Sequence, residues 1–131
     1  MATEFTVVLD DKPGSLADLA EALAQNAVNI MAIHAAPCPQ EGHVQFITNN
    51  ADATMNALRD AGLDYAVQNV LVVPLPNEPG TLARVSRALG ASGVNINALY
   101  ITMERQVVLD VDDLHKAQDI VMGMGFHNAP D

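Results

Sequence analysis

Two short stretches of this chain hold the residue types that recognise a zwitterion. Asp11-Lys12-Pro13-Gly14-Ser15-Leu16 is followed downstream by Asn29-Ile30, and Asn77-Glu78-Pro79-Gly80-Thr81-Leu82 by Asn95-Ile96. A helix that begins after each Pro-Gly presents unpaired N–H groups and the positive end of its dipole, which suits a carboxylate. Gly14 and Gly80 have no Cβ, so a ligand can come close to the backbone. Asp11 is an acceptor for an ammonium group, Asn77 is a neutral one, and Asn29 and Asn95 each bring a donor and an acceptor. The plainer alternative is that Pro-Gly is only a turn and that the asparagines serve local backbone groups.

Other chemistry is not legible. There is no serine–histidine–acid arrangement, no paired carboxylates in a recognisable cleft and no phosphate loop, so no catalytic residue is assigned and the chain is read as a non-enzyme. His34, Cys38 and His43 lie near one another in sequence, but their spacing is no standard zinc pattern and the second stretch has no counterpart; no metal and no cofactor are expected. The acidic run Asp110, Asp112 and Asp113 reads as a helix start with favourable dipole charge.

The 131 residues carry 16 acidic side chains against 6 Lys plus Arg, a formal charge of −10. That balance argues against nucleic acid and against anionic membrane surfaces, both of which require clustered cations. Half the residues are apolar, enough for a core. The single cysteine excludes an internal disulfide, and the opening Met1-Ala2-Thr3-Glu4 has no leader character. A soluble, cytoplasmic, acidic globular protein is expected.

The elements that would position the two stretches repeat. Residues 13–35 match 79–101 without a gap, and ten of the 23 positions are identical, against about one or two by chance. Beyond that window Phe46-Ile47 aligns with Val108-Leu109, which implies four residues fewer between strands in the second copy. Two domains follow, 1–68 and 69–131. In each, a β-rich run (Phe5 to Leu9, Val70 to Val73) meets Pro-Gly and then a helix with an apolar stripe: Leu16, Leu19, Ala20, Leu23 and Ala27, or Leu82, Val85, Leu89 and Gly93. Ser15 with Asp18 reads as a capping box, and Thr81 as the matching cap. Strands follow at Asn29 to Ala35 and Asn95 to Met103, then at His43 to Thr48 and Gln106 to Val111. Second helices over Asp52 to Ala61 and Asp112 to Met124 end at Gly62 and Gly125. The first unit closes with a strand at Tyr65 to Gln68, whereas the second stops within Phe126 to Asp131. The fold class is α+β, with βαββαβ ferredoxin-like units and antiparallel sheets, the second lacking most of its last strand. Several strands are apolar on both faces, which predicts a homodimer burying sheet against sheet.

The Asp/Asn-x-Pro-Gly-x-Leu loops, with Val28-Asn29-Ile30 and Val94-Asn95-Ile96 beyond them, resemble the ACT-domain signature, and the resemblance covers nearly the whole chain as two tandem copies. It implies amino-acid binding where units pair and regulation of a metabolic enzyme. In side-by-side ACT pairs the loop of one unit faces the asparagine of the other. The resemblance therefore implies one site from Asp11 to Leu16 with Asn95 and another from Asn77 to Leu82 with Asn29. Leu9 and Leu75 stand where a serine-binding member carries a polar contact, which points to a more apolar ligand. The alternative is a regulatory subunit or assembly module whose interface is purely structural and holds no ligand.

Overall fold

A computed structural model of the chain describes residues 1–38 and 41–126. The order of elements is β1 (Ala2–Asp10), α1 (Ser15–Gln25), β2 (Ile30–Cys38), β3 (Glu41–Thr48), α2 (Ala51–Asp60), β4 (Tyr65–Val73), α3 (Thr81–Ala91), β5 (Ile96–Ile101), β6 (Val107–Val111) and α4 (Leu114–Gly123). The chain divides into two compact units, Thr3–Gln68, and Asn69–Asp131 together with Met1–Ala2. Both have the α+β, ferredoxin-like architecture. Where two separate strands were expected around residue 69, Tyr65–Val73 is one uninterrupted strand. Among the described residues no strand follows α4; the expected stub falls largely on 127–131, outside them.

In the first unit β3 pairs antiparallel with both β1 and β2. The rows Phe5↔Phe46↔Ile33 and Val7↔Val44↔Ala35 lie on one face, because side chains alternate along a strand. That face is covered by Leu19 and Leu23 of α1 and by Ala57 and Leu58 of α2, all buried. The rings of Phe5 and Phe46 stack with centroids 5.7 Å apart. In the second unit β6 pairs with β4 and β5, and Leu71, Val73, Val107 and Leu109 pack under Val85, Leu89, Ala117 and Val121.

Two expectations are corrected here. Phe5 pairs with Phe46 and Leu71 with Leu109, so the third strands correspond through Phe46 and Leu109, not Phe46 and Val108. The second hairpin is three residues shorter, not four. A one-residue slip would carry every side chain of the strand to the opposite face, so burial of one face fixes the register. The helix stripe also begins one turn later than expected. Leu19 and Val85 are buried, whereas Leu16 and Leu82 are 46% and 48% exposed, since the first turn lies beyond the sheet surface that the helix covers.

Each helix ends the same way. The residue after the cap adopts positive φ, at Ala27 (56°), Gly62 (71°), Gly93 (77°) and Gly125 (91°). The next N–H then reaches back five residues: Val28 to Leu23, Leu63 to Leu58, Val94 to Leu89 and Phe126 to Val121, at 2.9–3.1 Å. This is the Schellman closure, and it turns an apolar residue back onto the core.

Part of the opposite sheet face is buried as well, although Val8 on it stays 47% exposed. Ala32, Ile47, Val70, Val72, Tyr100 and Val108 are buried. None of the helices among the described residues is long and apolar enough to cross a membrane.

Candidate ligand-binding site

The two Pro-Gly loops fold alike. The N–H of Lys12 donates to the Asp10 carbonyl (3.0 Å) and that of Ser15 to the Lys12 carbonyl (3.3 Å); Glu78 to Pro76 (3.0 Å) and Thr81 to Glu78 (3.3 Å) repeat the pattern. The helix caps are the glycines, Gly14 at φ 92° and Gly80 at φ 92°. Side chains rarely adopt that conformation. A Cβ at either position would meet nothing within 4 Å, so the backbone dihedral and not lack of room accounts for glycine. The expected capping box is therefore absent: Ser15 and Thr81 are already the first helical residues, and no side chain caps α1 or α3. Thr81 is instead buried.

The other two helices are closed. Asn50 Oδ1 accepts from the Ala53 N–H at 3.0 Å, and Asp113 Oδ1 from the Lys116 N–H at 3.1 Å. The contrast singles out α1 and α3. Their first-turn N–H groups have no side-chain cap and stand beside exposed loops, where an anion is favoured. Asp113 bears out the reading of the acidic run as a helix start. Asp112 caps nothing, and Asp110 is buried on β6.

Beside the first loop lies a cavity of about 350 Å3. Its floor is the open end of the sheet: Leu9, Gly42 and Pro37 form one cross-strand row and Val44 and Ala35 the next. Its rim is Asp10, Asp11, Lys12, Ser15 and Leu16. Lys12 Nζ stands 3.9 Å from Asp10 Oδ2, with both side chains largely in solvent. Of the floor residues only Leu9 is expected from the sequence as a ligand-facing position; Ala35, Pro37, Gly42 and Val44 are not. Their signal in the sequence is the longer link between strands in the first copy.

The asparagines stand apart from the loops of their own units. Asn29 and Asn95 lie at the far ends of β3 and β6 from the Pro-Gly turns. The Asn29 N–H donates to Asn49 Oδ1 (2.9 Å) and its side-chain amide contacts Met31 Sδ (3.3 Å). The Asn95 N–H donates to Asp112 Oδ1 (2.9 Å) and its Nδ2 to Asn97 Oδ1 (2.8 Å). Both residues are exposed, while Ile30 and Ile96 pack against their cores. Asn77, Glu78, Pro79 and Gly80 are exposed on the second loop, as Pro13 is on the first. Among the described residues no group of three or more His, Cys, Asp or Glu could hold a metal.

Comparison with known proteins places this geometry. Protein BT0572 from Bacteroides thetaiotaomicron superposes with a TM-score of 0.90 at 26% identity, covering 98% of this chain and 91% of that one. The regulatory subunit of aspartate kinase from Thermus thermophilus, in a ligand-free form, matches at 0.68 and 20% identity over 92% and 90% of the two chains. The corresponding subunit from Thermus flavus matches at 0.69 and 18% over 93% and 88%. These last two share the fold. No curated protein matches the sequence. The family described as the ACT domain pair matches residues 1–127, nearly the whole length, and the chain belongs to that family.

Proposed function

We propose that this chain is a non-catalytic sensor that binds an amino acid at its Pro-Gly loops and regulates amino-acid metabolism through a partner enzyme. One observation carries the reading: in a chain matched to the ACT domain pair over residues 1–127, the two helices that follow Pro-Gly lack the side-chain caps that close the other two. An amino acid brings the two charges these loops suit. Its carboxylate is served by helix N–H groups and Lys12, and its ammonium by Asp11 or Asn77. Occupancy would shift a partner by differential affinity for two states. Regulatory subunits of a metabolic enzyme are built on this fold in the two Thermus proteins. A homodimer belongs to the reading; Val8, Ile101 and Met103 remain 47%, 55% and 71% exposed. Sedimentation at micromolar concentration checks it, and a strict monomer removes that part.

A second reading has its own support. The side chains of the exposed Asn95 and Asn29 are engaged by Asn97 and Met31, two residues on, as asparagines that serve local structure and no ligand would be. A thermal-shift screen of the twenty amino acids separates the two. Binding to the native state raises the melting temperature once ligand exceeds Kd; the sensor reading expects a hit at or below millimolar concentration, and no hit favours the empty interface.

A further inference from the structure

The two equivalent helices share one apolar plan and carry opposite charge. In the gapless match of 13–35 with 79–101, Asp18 aligns with Arg84 and Glu21 with Arg87. Asp18 and Glu21 are the only charged residues of α1, and Arg84 and Arg87 the only ones of α3. Each pair is three residues apart, so its members are neighbours on the helix surface, and all four are exposed. Among the described residues no ion pair or hydrogen bond engages any of the four side chains. Beside them the exposed positions are small: Ala17 and Ala24 on α1, Ala83 and Gly90 on α3.

The basic pair does not serve its own helix. Arg84 stands in the first turn of α3, where the dipole disfavours a cation. Arg87, three residues on, repels it, and α3 has no acid to offset either. The whole chain has 6 Lys plus Arg against 16 acids, so a pair of cations within one turn is a concentration that solubility does not require. A local misfit of this kind on a solvated face points to something that covers it.

We infer that two copies of this chain associate through these helices, α1 of one lying on α3 of the other. This contact is separate from the sheet face, and it stands whether or not an amino acid binds. Charge selects the occupant. A second α1 on α1 would set acid on acid, and a second α3 on α3 base on base; only the unlike pair is complementary. Both surfaces belong to one chain, so a second copy brings the match for each, and a two-fold pair makes the contact twice. The small residues let the helix axes approach to the usual spacing of about 8–10 Å. Leu16 and Leu82, 46% and 48% exposed at the starts of the same helices, add apolar area.

Sedimentation equilibrium of the full chain tests this. The parent is expected to dimerise, with association falling as salt rises toward about 1 M, where charges are screened beyond roughly 3 Å. Asp18→Arg with Glu21→Arg gives a chain basic on both helices, and Arg84→Asp with Arg87→Glu gives one acidic on both. Each variant takes residues that the other repeat already carries at that place, so the fold is expected to survive, and melting checks it. Alone, each double variant is expected to associate at least about tenfold more weakly. Mixed in equal amounts, the two are expected to regain parental association, because every α1 then meets an α3 of opposite sign. A monomeric parent, a dimer indifferent to salt, double variants that associate as the parent does, or a mixture no stronger than its parts would each overturn the inference. A dimer that ignores these charges leaves the sheet-face contact standing, and amino-acid binding is read separately by the thermal-shift screen.

Discussion

Asn95 and Asp112 are tied by a reciprocal pair of hydrogen bonds: the Asn95 N–H donates to Asp112 Oδ1 at 2.9 Å, and the Asp112 N–H donates to the Asn95 carbonyl at 3.1 Å. Asn29 and Asn49 make the same pair in the first unit, at 2.9 and 3.1 Å. Each clamp joins the start of one strand (β2 or β5) to the end of the next (β3 or β6). Asp112→Ala and Asn49→Ala each remove a side-chain acceptor and are expected to cost about 1 kcal/mol by urea denaturation, with Asp112→Asn close to neutral. A loss below about 0.3 kcal/mol in both alanine variants would show that water replaces the bond without penalty.

Ala27 holds a left-handed backbone, φ 56°, where the second copy has Gly93 at φ 77°. A side chain in that region costs roughly 1–2 kcal/mol, partly offset by the larger unfolded-state freedom of glycine. Ala27→Gly is expected to stabilise the protein by about 0.5–1 kcal/mol, and Gly93→Ala to destabilise it by about 1 kcal/mol. Chemical denaturation of the pair gives both signs, and a destabilising Ala27→Gly would contradict the strain argument.

The four helix starts predict unequal responses to cap removal. Asn50→Ala and Asp113→Ala each take away a side-chain bond and should lower stability by about 1 kcal/mol. Ser15→Ala, at a helix whose cap is Gly14, is expected to stay within about 0.5 kcal/mol of the parent. Equal losses at all three positions would mean that Ser15 caps in solution.

Leu16 and Leu19 differ by one helical turn and should differ in consequence. Leu19 is 1% exposed and lies in the core, so Leu19→Ala is expected to cost about 2–5 kcal/mol. Leu16 is 46% exposed at the cavity rim. Leu16→Ala is expected to leave stability within about 0.5 kcal/mol while weakening amino-acid binding, with melting and calorimetry read on the same samples.

The sequence alone determined the duplication, the α+β class, the order of elements within each copy and the helix ends at Gly62 and Gly125. These rest on local rules: apolar period, Pro-Gly punctuation and the left-handed tolerance of glycine act over a few residues. The tertiary structure decided what depends on partners far apart in sequence. Pairing of Phe5 with Phe46 and of Leu71 with Leu109 set the third-strand register, which residue similarity alone had placed one position away. Coverage of the sheet set where the stripe begins, leaving Leu16 and Leu82 outside. The cavity floor was not legible for the same reason. Leu9, Pro37 and Gly42 become neighbours only through cross-strand pairing, and nothing local in the sequence marks a glycine as the depth of a recess.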